Sequence, residues 1–585
     1  MFKFLYRAFA LFGLLTLAGL AGGGYLLYHI YFAPPSLAEA VVLSIDLDQK
    51  LVEQVADDPL TGKLLGSSGL SLRDVVDAFD RGARDRRVKG AVIRIGGDEM
   101  GMAQVQEIRG AIARFRAAGK FTTAFAETFG EFGPGNKSYY LASACEQVWL
   151  QPLGMVGLTG LAAEMPFARK LLDQLHLVPE VGHREEYKSA MESLTERTIS
   201  GPHREMLESL LDDLTNQLVG GVSAARKLEP SVVRRLIDSG PLLDHEARDA
   251  GLVDRLGYYD ELNDEALEKA GTGGAEASMV TPDDYLAAAG ELNDSGPTVA
   301  LIFALGGIER GDNGVNPMMG GNTVGSDALV LAIQQAVDDE DVRAILLRID
   351  SPGGSVTASE TIRRAVVQAK AAGKPVIVSM SDMAASGGYW IAMNADKIIA
   401  EPATLTGSIG VIVGKLATSG FWDSFGITWE GVKRGANAGI WSNVSSYTPA
   451  EKARVEAVLD DVYSTFTRNV ADARHLTPER VREIARGRVW TGHQAVALGL
   501  VDELGDLDLA LQRTREAIGL KADSPVSLDV FPRPKSQLER VLDLLTVSGA
   551  RFAEISRALA PVARAVAPLS GKSTESMRMP EIGVR

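Results

Sequence analysis

One cysteine in 585 residues rules out an intrachain disulfide, and with it any metal site built from several thiolates. That residue, Cys145, lies in an apolar stretch and reads as a buried filler. Basic residues are outnumbered 60 to 76, for a net charge of −16, and no arginine-rich tract offsets the deficit. Nucleic acid is therefore excluded as the main partner. No Gly-x-x-x-x-Gly-Lys-Ser/Thr loop occurs, so nothing points to a bound nucleotide, and no cofactor or metal is expected. Histidine is scarce as well, at seven. His245 and His493 are echoes of one another, and His183 has no evident carboxylate partner. No Ser/Thr-x-x-Lys spacing occurs either, which argues against a penicillin-binding type of site.

Charge is missing altogether from one segment. After Lys3 and Arg7, positions 8–30 carry no Asp, Glu, Lys or Arg. At ~1.5 Å per residue a helix of that length crosses a ~30 Å hydrocarbon core. Tyr25, Tyr28 and Tyr31 cluster toward its far end as an interfacial belt does, and Pro34-Pro35 stops the helix. A cleaved leader is the rival, with a small-residue site at Ala18-Gly19-Leu20-Ala21. An uncleaved anchor in contact with membrane lipid is the expectation. The basic residues before the span put the N-terminus in the cytoplasm and the bulk outside it. In a bacterium that means a single-pass protein of the inner membrane with a periplasmic or external body.

What the chain does have is a repeat. Tyr139-Tyr140-Leu141-Ala142, Gln151-Pro152, Gly157 and Gly160 match Tyr389-Trp390-Ile391-Ala392, Glu401-Pro402, Gly407 and Gly410 at an offset of 250. Arg94-Ile95 and Ala117-Ala118-Gly119-Lys120 match Arg348-Ile349 and Ala371-Ala372-Gly373-Lys374 at 254. His245 to Gly257 matches His493 to Gly505 at 248. So long an array in register is a duplicated domain. Within it Ser386 faces Asn136, and Lys188 faces the region of Ala438 and Gly439. A serine kept in one copy and a lysine kept in the other suggest one composite site.

Each half alternates short β-rich apolar runs with helical periodicity, which predicts an α/β fold with a largely parallel sheet. Strands are predicted at 91–95, 121–126 and 148–150, and at 298–304, 344–349, 375–379 and 397–400. Helices are predicted at 104–118, 203–218, 358–371 and 449–471. The expected organisation is a stub and anchor over 1–35 and a first repeat over 36–270. A Gly/Ala/Asp-rich linker follows over 271–297, then a second repeat over 298–530 and an amphipathic, mobile tail over 531–585.

Two glycine-rich turns carry the chemistry. Asp350-Ser351-Pro352-Gly353-Gly354-Ser355 follows a strand and precedes a helix, which exposes backbone N–H groups suited to an oxyanion. A tight strand-to-helix turn has the same residues, so the loop alone decides nothing. Ala384-Ala385-Ser386-Gly387-Gly388 is a second elbow, with open access to the serine hydroxyl. An N-cap serine reads the same way. Lys188, in Glu185-Glu186-Tyr187-Lys188-Ser189-Ala190, is a solvated helix-face lysine unless burial lowers its pKa enough to make it a base. Its loss from the other copy favours the second reading.

Asp350-Ser-Pro-Gly-Gly-Ser355, Ala385-Ser386-Gly387-Gly388-Tyr389, Leu405-Thr406-Gly407-Ser408-Ile409-Gly410 and Tyr187-Lys188-Ser189-Ala190 together resemble the signal peptide peptidase A family in its long, duplicated form. The likeness covers residues 1–530. It implies tandem domains of the Clp protease and crotonase type, built of ββα repeats. It also implies a Ser386 nucleophile, a Lys188 base and a Ser408 hydroxyl that holds the lysine amine. Gly353, Gly354 and Gly387 become candidates for the oxyanion hole. The activity implied is serine endopeptidase action on hydrophobic peptides, remnant signal peptides among them, by a membrane-bound homotetramer. Two other classes stay open at this point: a crotonase-type acyl-CoA enzyme and an inactive peptide-binding scaffold. Whether Ser386 would meet Lys188 within one chain or between chains is also open.

Overall fold

The computed structural model describes residues 36–49, 51–53, 70–97, 99–271, 273–274, 276–290, 292–316 and 321–533, together with Thr16, Gly19, Gly22 and Gly23. The expected anchor at 8–30, but for those four helical positions, and the tail beyond 533 lie outside the described residues. Among the described residues no helix is long and apolar enough to cross a membrane.

The chain is mixed α/β, and it builds one sheet twice. The first sheet runs in the order 255–256, 147–150, 121–126, 88–94, 40–46, 277–280, all parallel. The second repeats that order with 503–504, 397–400, 376–385, 342–351, 298–305 and 527–531. Each central strand is nearly continuous apolar sequence because helices cover both of its faces. Val41, Leu43, Ala91 and Ile93 lie in one core, and Ala300, Ile302, Ile345 and Leu347 in the other.

The strand Val376–Ala385 is longer than expected, and its length matters. Its first half, Ile377–Met380, pairs with Lys397–Ala400, while Met383–Ala385 pairs with Leu405–Gly407. The strand therefore splits its partners and delivers Ser386 between two diverging edges. The stretch expected to be a linker, 271–297, carries structure. Ala277–Val280 is the edge strand beside Ala40–Asp46, and Pro282–Ala289 is a helix capped by Thr281, which accepts from Asp284 N. The Thr-Pro-Asp-Asp start is a strong capping signal, and Tyr285 closes the first core.

Among the contacts that join the halves are a strand ribbon, a helix laid across the seam and a buried ion cluster. Val178–His183 pairs antiparallel with Ile412–Ala417, a ribbon with one strand from each half. The helix Gly201–Arg226 lays Met206, Ser209 and Asp213 against Val489–Gln494. Finally, Arg348 is buried between Glu53 at 3.0 Å and Glu107 at 2.7 Å, both from the first half. Its repeat counterpart Arg94 instead lies partly exposed among Asp46, Asp48 and Glu127.

Candidate active site

Ser386 ends the split strand and caps the helix Gly387–Ala392. To turn from strand to helix at one residue it adopts φ 54° and ψ −113°, a conformation an L side chain rarely holds. Its N–H donates to the Gly407 carbonyl at 2.8 Å, and its carbonyl accepts from Trp390 N at 2.9 Å. The surroundings thus hold the strained elbow, with Ser386 half-buried and lining a cavity of about 70 Å³. One wall of that cavity is apolar, made by Val356, Trp390, Val411, Ile412, Val462 and Phe466.

Lys188 arrives from the other half. The cross-half ribbon continues into Arg184, whose N–H donates to the Val411 carbonyl, and then into the loop that carries the lysine. The stem lies against Gly410 and Gly487: a Cβ on Gly487 would sit 2.6 Å from the Lys188 Cβ, and one on Gly410 3.1 Å from its Cδ. The amine is buried, with the residue 5% exposed. Nζ lies 3.1 Å from Ser386 Oγ, 2.8 Å from Ser408 Oγ and 2.9 Å from the Ser408 carbonyl. Burial pulls its pKa down to about 7. Of the acidic neighbours, Glu186 pairs with Arg486 and Glu192 with His203, while Glu185 is exposed. The three side chains come together within one chain, although 198 positions separate Lys188 from Ser386.

The glycine loop closes the third side. Gly353 N–H donates to Ser351 Oγ at 3.2 Å, whereas Gly354 N–H and Gly387 N–H have no backbone acceptor among the described residues. The loops touch closely: a Cβ on Gly353 would lie 2.5 Å from Gly387 N, and one on Gly387 3.0 Å from Gly354 N. Gly354 and Gly387 are therefore the free donor pair, with Gly353 as the turn that seats them. Sequence reasoning passed over Ser351, which ties this loop to the Gly306 carbonyl at 2.6 Å.

The first copy shows the same elbow closed. Asn136 is buried and accepts from Thr159 N and Gly160 N, both at 3.0 Å, while its amide donates to the Gly160 carbonyl at 2.8 Å. Buried Leu158 stands where the second copy has Ser408. His245 and His493 lie on the surface beside Asp244 and Asp213, remote from this chemistry.

The model of peptidase family S49 matches residues 116–272 and 368–521, one segment in each half. "Protease 4" of Salmonella typhi is 34% identical over 519 residues, covering 84% of this chain and 81% of the relative. The chloroplastic serine protease SPPA of Arabidopsis thaliana is 31% identical over 542 residues, 91% of this chain and 77% of the relative. Among solved structures, a ClpP1 mutant of Listeria monocytogenes covers 37% of this chain and 94% of its own, with 16% identity and a TM-score of 0.23, too slight a likeness to carry an argument. Two matched segments, one per copy, and relatives aligned across most of their length agree: the chain belongs to peptidase family S49.

Proposed function

We propose that this chain is a serine endopeptidase in which Ser386 is the nucleophile and Lys188 its general base, acting on apolar peptides at a membrane surface. The observation that carries the reading is the Lys188 amine, buried, with its pKa drawn down to about 7 by that burial, and 3.1 Å from a serine hydroxyl. A solvated lysine is no base at pH 7, but one drawn down to about 7 is.

In this mechanism neutral Lys188 takes the Ser386 proton as Oγ bonds to the peptide carbonyl carbon. The oxyanion that forms points at Gly354 N–H and Gly387 N–H. On collapse the C–N bond breaks, and the Lys188 ammonium gives its proton to the departing amine. Water then attacks the acyl ester with Lys188 again as base, releasing the acid and restoring the serine. Ser408 holds the amine from its far side through both oxygens.

Signal peptides as the substrate class rest on two supports. The cavity wall is apolar, and a relative from Enterococcus faecium, 34% identical over 184 residues, bears the name putative signal peptide peptidase SppA. The uncharged segment 8–30 supports anchoring in the inner membrane with the catalytic body on the periplasmic or external face. Assembly as a homotetramer completes the reading. Labelling with a serine-reactive fluorophosphonate and mapping the adduct tests it. Modification at Ser386, lost in Lys188→Arg, is the expected result, and a label elsewhere or one indifferent to Lys188 would overturn it.

A further inference from the structure

Behind Lys188, on the side away from the substrate cavity, lies a second space of about 20 Å³. Lys188, Ser408 and His203 line it, with Tyr187, Met206 and Val489 making an apolar surround. That volume holds one water, since roughly 10–15 Å³ suffices. His203 is 1% exposed, and its Nε2 has no hydrogen-bond partner among the described residues. Its Nδ1 is bonded to Glu192 Oε2, while Glu192 Oε1 accepts from Ser200 N at 3.2 Å. With both carboxylate oxygens placed to accept, Nδ1 carries a proton, and in the neutral ring Nε2 is then an acceptor.

The duplicated chain supplies its own control. The helices Gly201–Arg226 and Pro449–Arg474 are counterparts of 26 residues each, capped by Ser200 and Thr448 and ended by Lys227 and His475, both at φ 54°. In the second copy the third helical position is Glu451, which closes a capping box by accepting from Thr448 N at 2.9 Å. In the first copy that position is His203, and the carboxylate for the cap N–H comes from Glu192 instead. An imidazole thus replaces an ordinary cap residue in the one copy that carries the lysine, and the cap is kept by other means.

The Ser408 hydroxyl needs an acceptor of its own. A neutral amine has two N–H donors and one lone pair, and the lone pair must face Ser386 for Lys188 to accept its proton. The Ser408 carbonyl can only accept, so it takes one N–H. If the Ser408 hydroxyl donated to Nζ it would occupy the lone pair and block the base. It must accept from Nζ and send its own proton elsewhere.

We propose that His203 is a positioning residue for this reaction: through one water in the cavity behind Lys188, its Nε2 orients the Ser408 hydroxyl so that the lysine lone pair stays directed at Ser386. The chain of donors runs from Nζ to Ser408 Oγ, from that hydroxyl to the water, and from the water to Nε2. The proposal rests on the Ser386–Lys188 reading, and its test separates the two.

Full-length enzyme and its His203→Phe and His203→Gln variants are compared on a fluorogenic apolar peptide, beside Ser386→Ala and Lys188→Ala. Phenylalanine fills the site and removes the acceptor, so kcat should fall about tenfold, what one lost hydrogen bond can cost, with KM unchanged. Glutamine returns an acceptor near Nε2 and should recover kcat to within about threefold of the parent. Full kcat in His203→Phe, or equal losses in both variants, overturns the proposal while the dyad stands. Activity in Ser386→Ala or Lys188→Ala overturns the dyad itself. Should His203→Phe not fold, a high-resolution crystal structure of the unaltered enzyme decides: a water bridging Nε2 and Ser408 Oγ supports the proposal, and a dry cavity refutes it.

Discussion

Replacing Lys188 by methionine should abolish hydrolysis and yet make the protein more stable at neutral pH. The fold holds this amine at a pKa of about 7, against 10.5 for an ordinary lysine. Below pH 7 both folded and unfolded chains carry the proton, and burying the charge costs the fold about 5 kcal/mol, at ~1.36 kcal/mol per pH unit of difference. Between pH 7 and 10.5 the unfolded chain binds a proton that the folded one releases. Stability of the parent therefore rises with pH across that window, by up to about 1.4 kcal/mol per unit, and levels off above it. Methionine has similar length and no charge, so it escapes the cost. It also forfeits the two hydrogen bonds to Ser408, worth about 1 kcal/mol each. The net gain is about 2 kcal/mol at pH 7 and falls to nothing near pH 9. Urea unfolding of both proteins at pH 7, 8 and 9 reads this directly. A stability difference that is flat with pH, or that widens, would refute the burial argument on which the lysine's role stands.

Ser386→Ala should remove peptide hydrolysis and leave assembly intact, read by activity and light scattering together. Lys188→Arg should be equally inactive, because arginine keeps its proton at these pH values. In the parent, kcat/KM should rise with pH through about 7, where the amine sheds its proton, and a profile falling through that range would contradict the scheme. Gly387→Ala puts a Cβ 2.6 Å from Ser359 Oγ and 3.0 Å from Gly354 N, so kcat should drop about 10²–10³-fold as an oxyanion donor shifts. Arg348→Met strands Glu53 and Glu107 in the seam between halves and should cost about 3–5 kcal/mol of stability, measured as a lowered unfolding midpoint.

The duplication was legible because the turn and cap residues that punctuate a sheet recur at fixed spacing, and the two six-strand orders follow from it. Phe121–Ala126 and Lys397–Ala400 match their predicted limits because a Gly-Lys turn or a following Pro marks them. The long helices run past their predicted ends at Leu218 and Ala471, since Gly220-Gly221 interrupts the pattern of the first and the second ends on the polar Asp472 and Arg474. The strand 277–280 and helix 282–289 are hidden by their surroundings, since the stretch 271–297 that holds them is rich in the Gly, Ala and Asp that also make linkers. Ser386 could be read locally from its small neighbours. Lys188 could be singled out only by its loss from the other copy, because its environment is written elsewhere. Gly410, Gly487 and Ser408 lie over 200 positions downstream, and nothing near Lys188 announces that they will enclose it. Arg94 and Arg348 show the same limit, being one repeat position with an exposed fate in one copy and a buried one in the other.

The ribbon of Val178–His183 with Ile412–Ala417 sets an order of events during synthesis. The ribosome releases the amine first and the hydroxyl 198 positions later. On the proposed roles, a chain interrupted anywhere before Ser386 holds a base with nothing to activate. A completed chain whose halves have not yet docked holds a serine with no base beside it. On the proposed roles of Ser386 and Lys188, the separation of the two groups along the polypeptide keeps the chain silent until its halves pair across the seam.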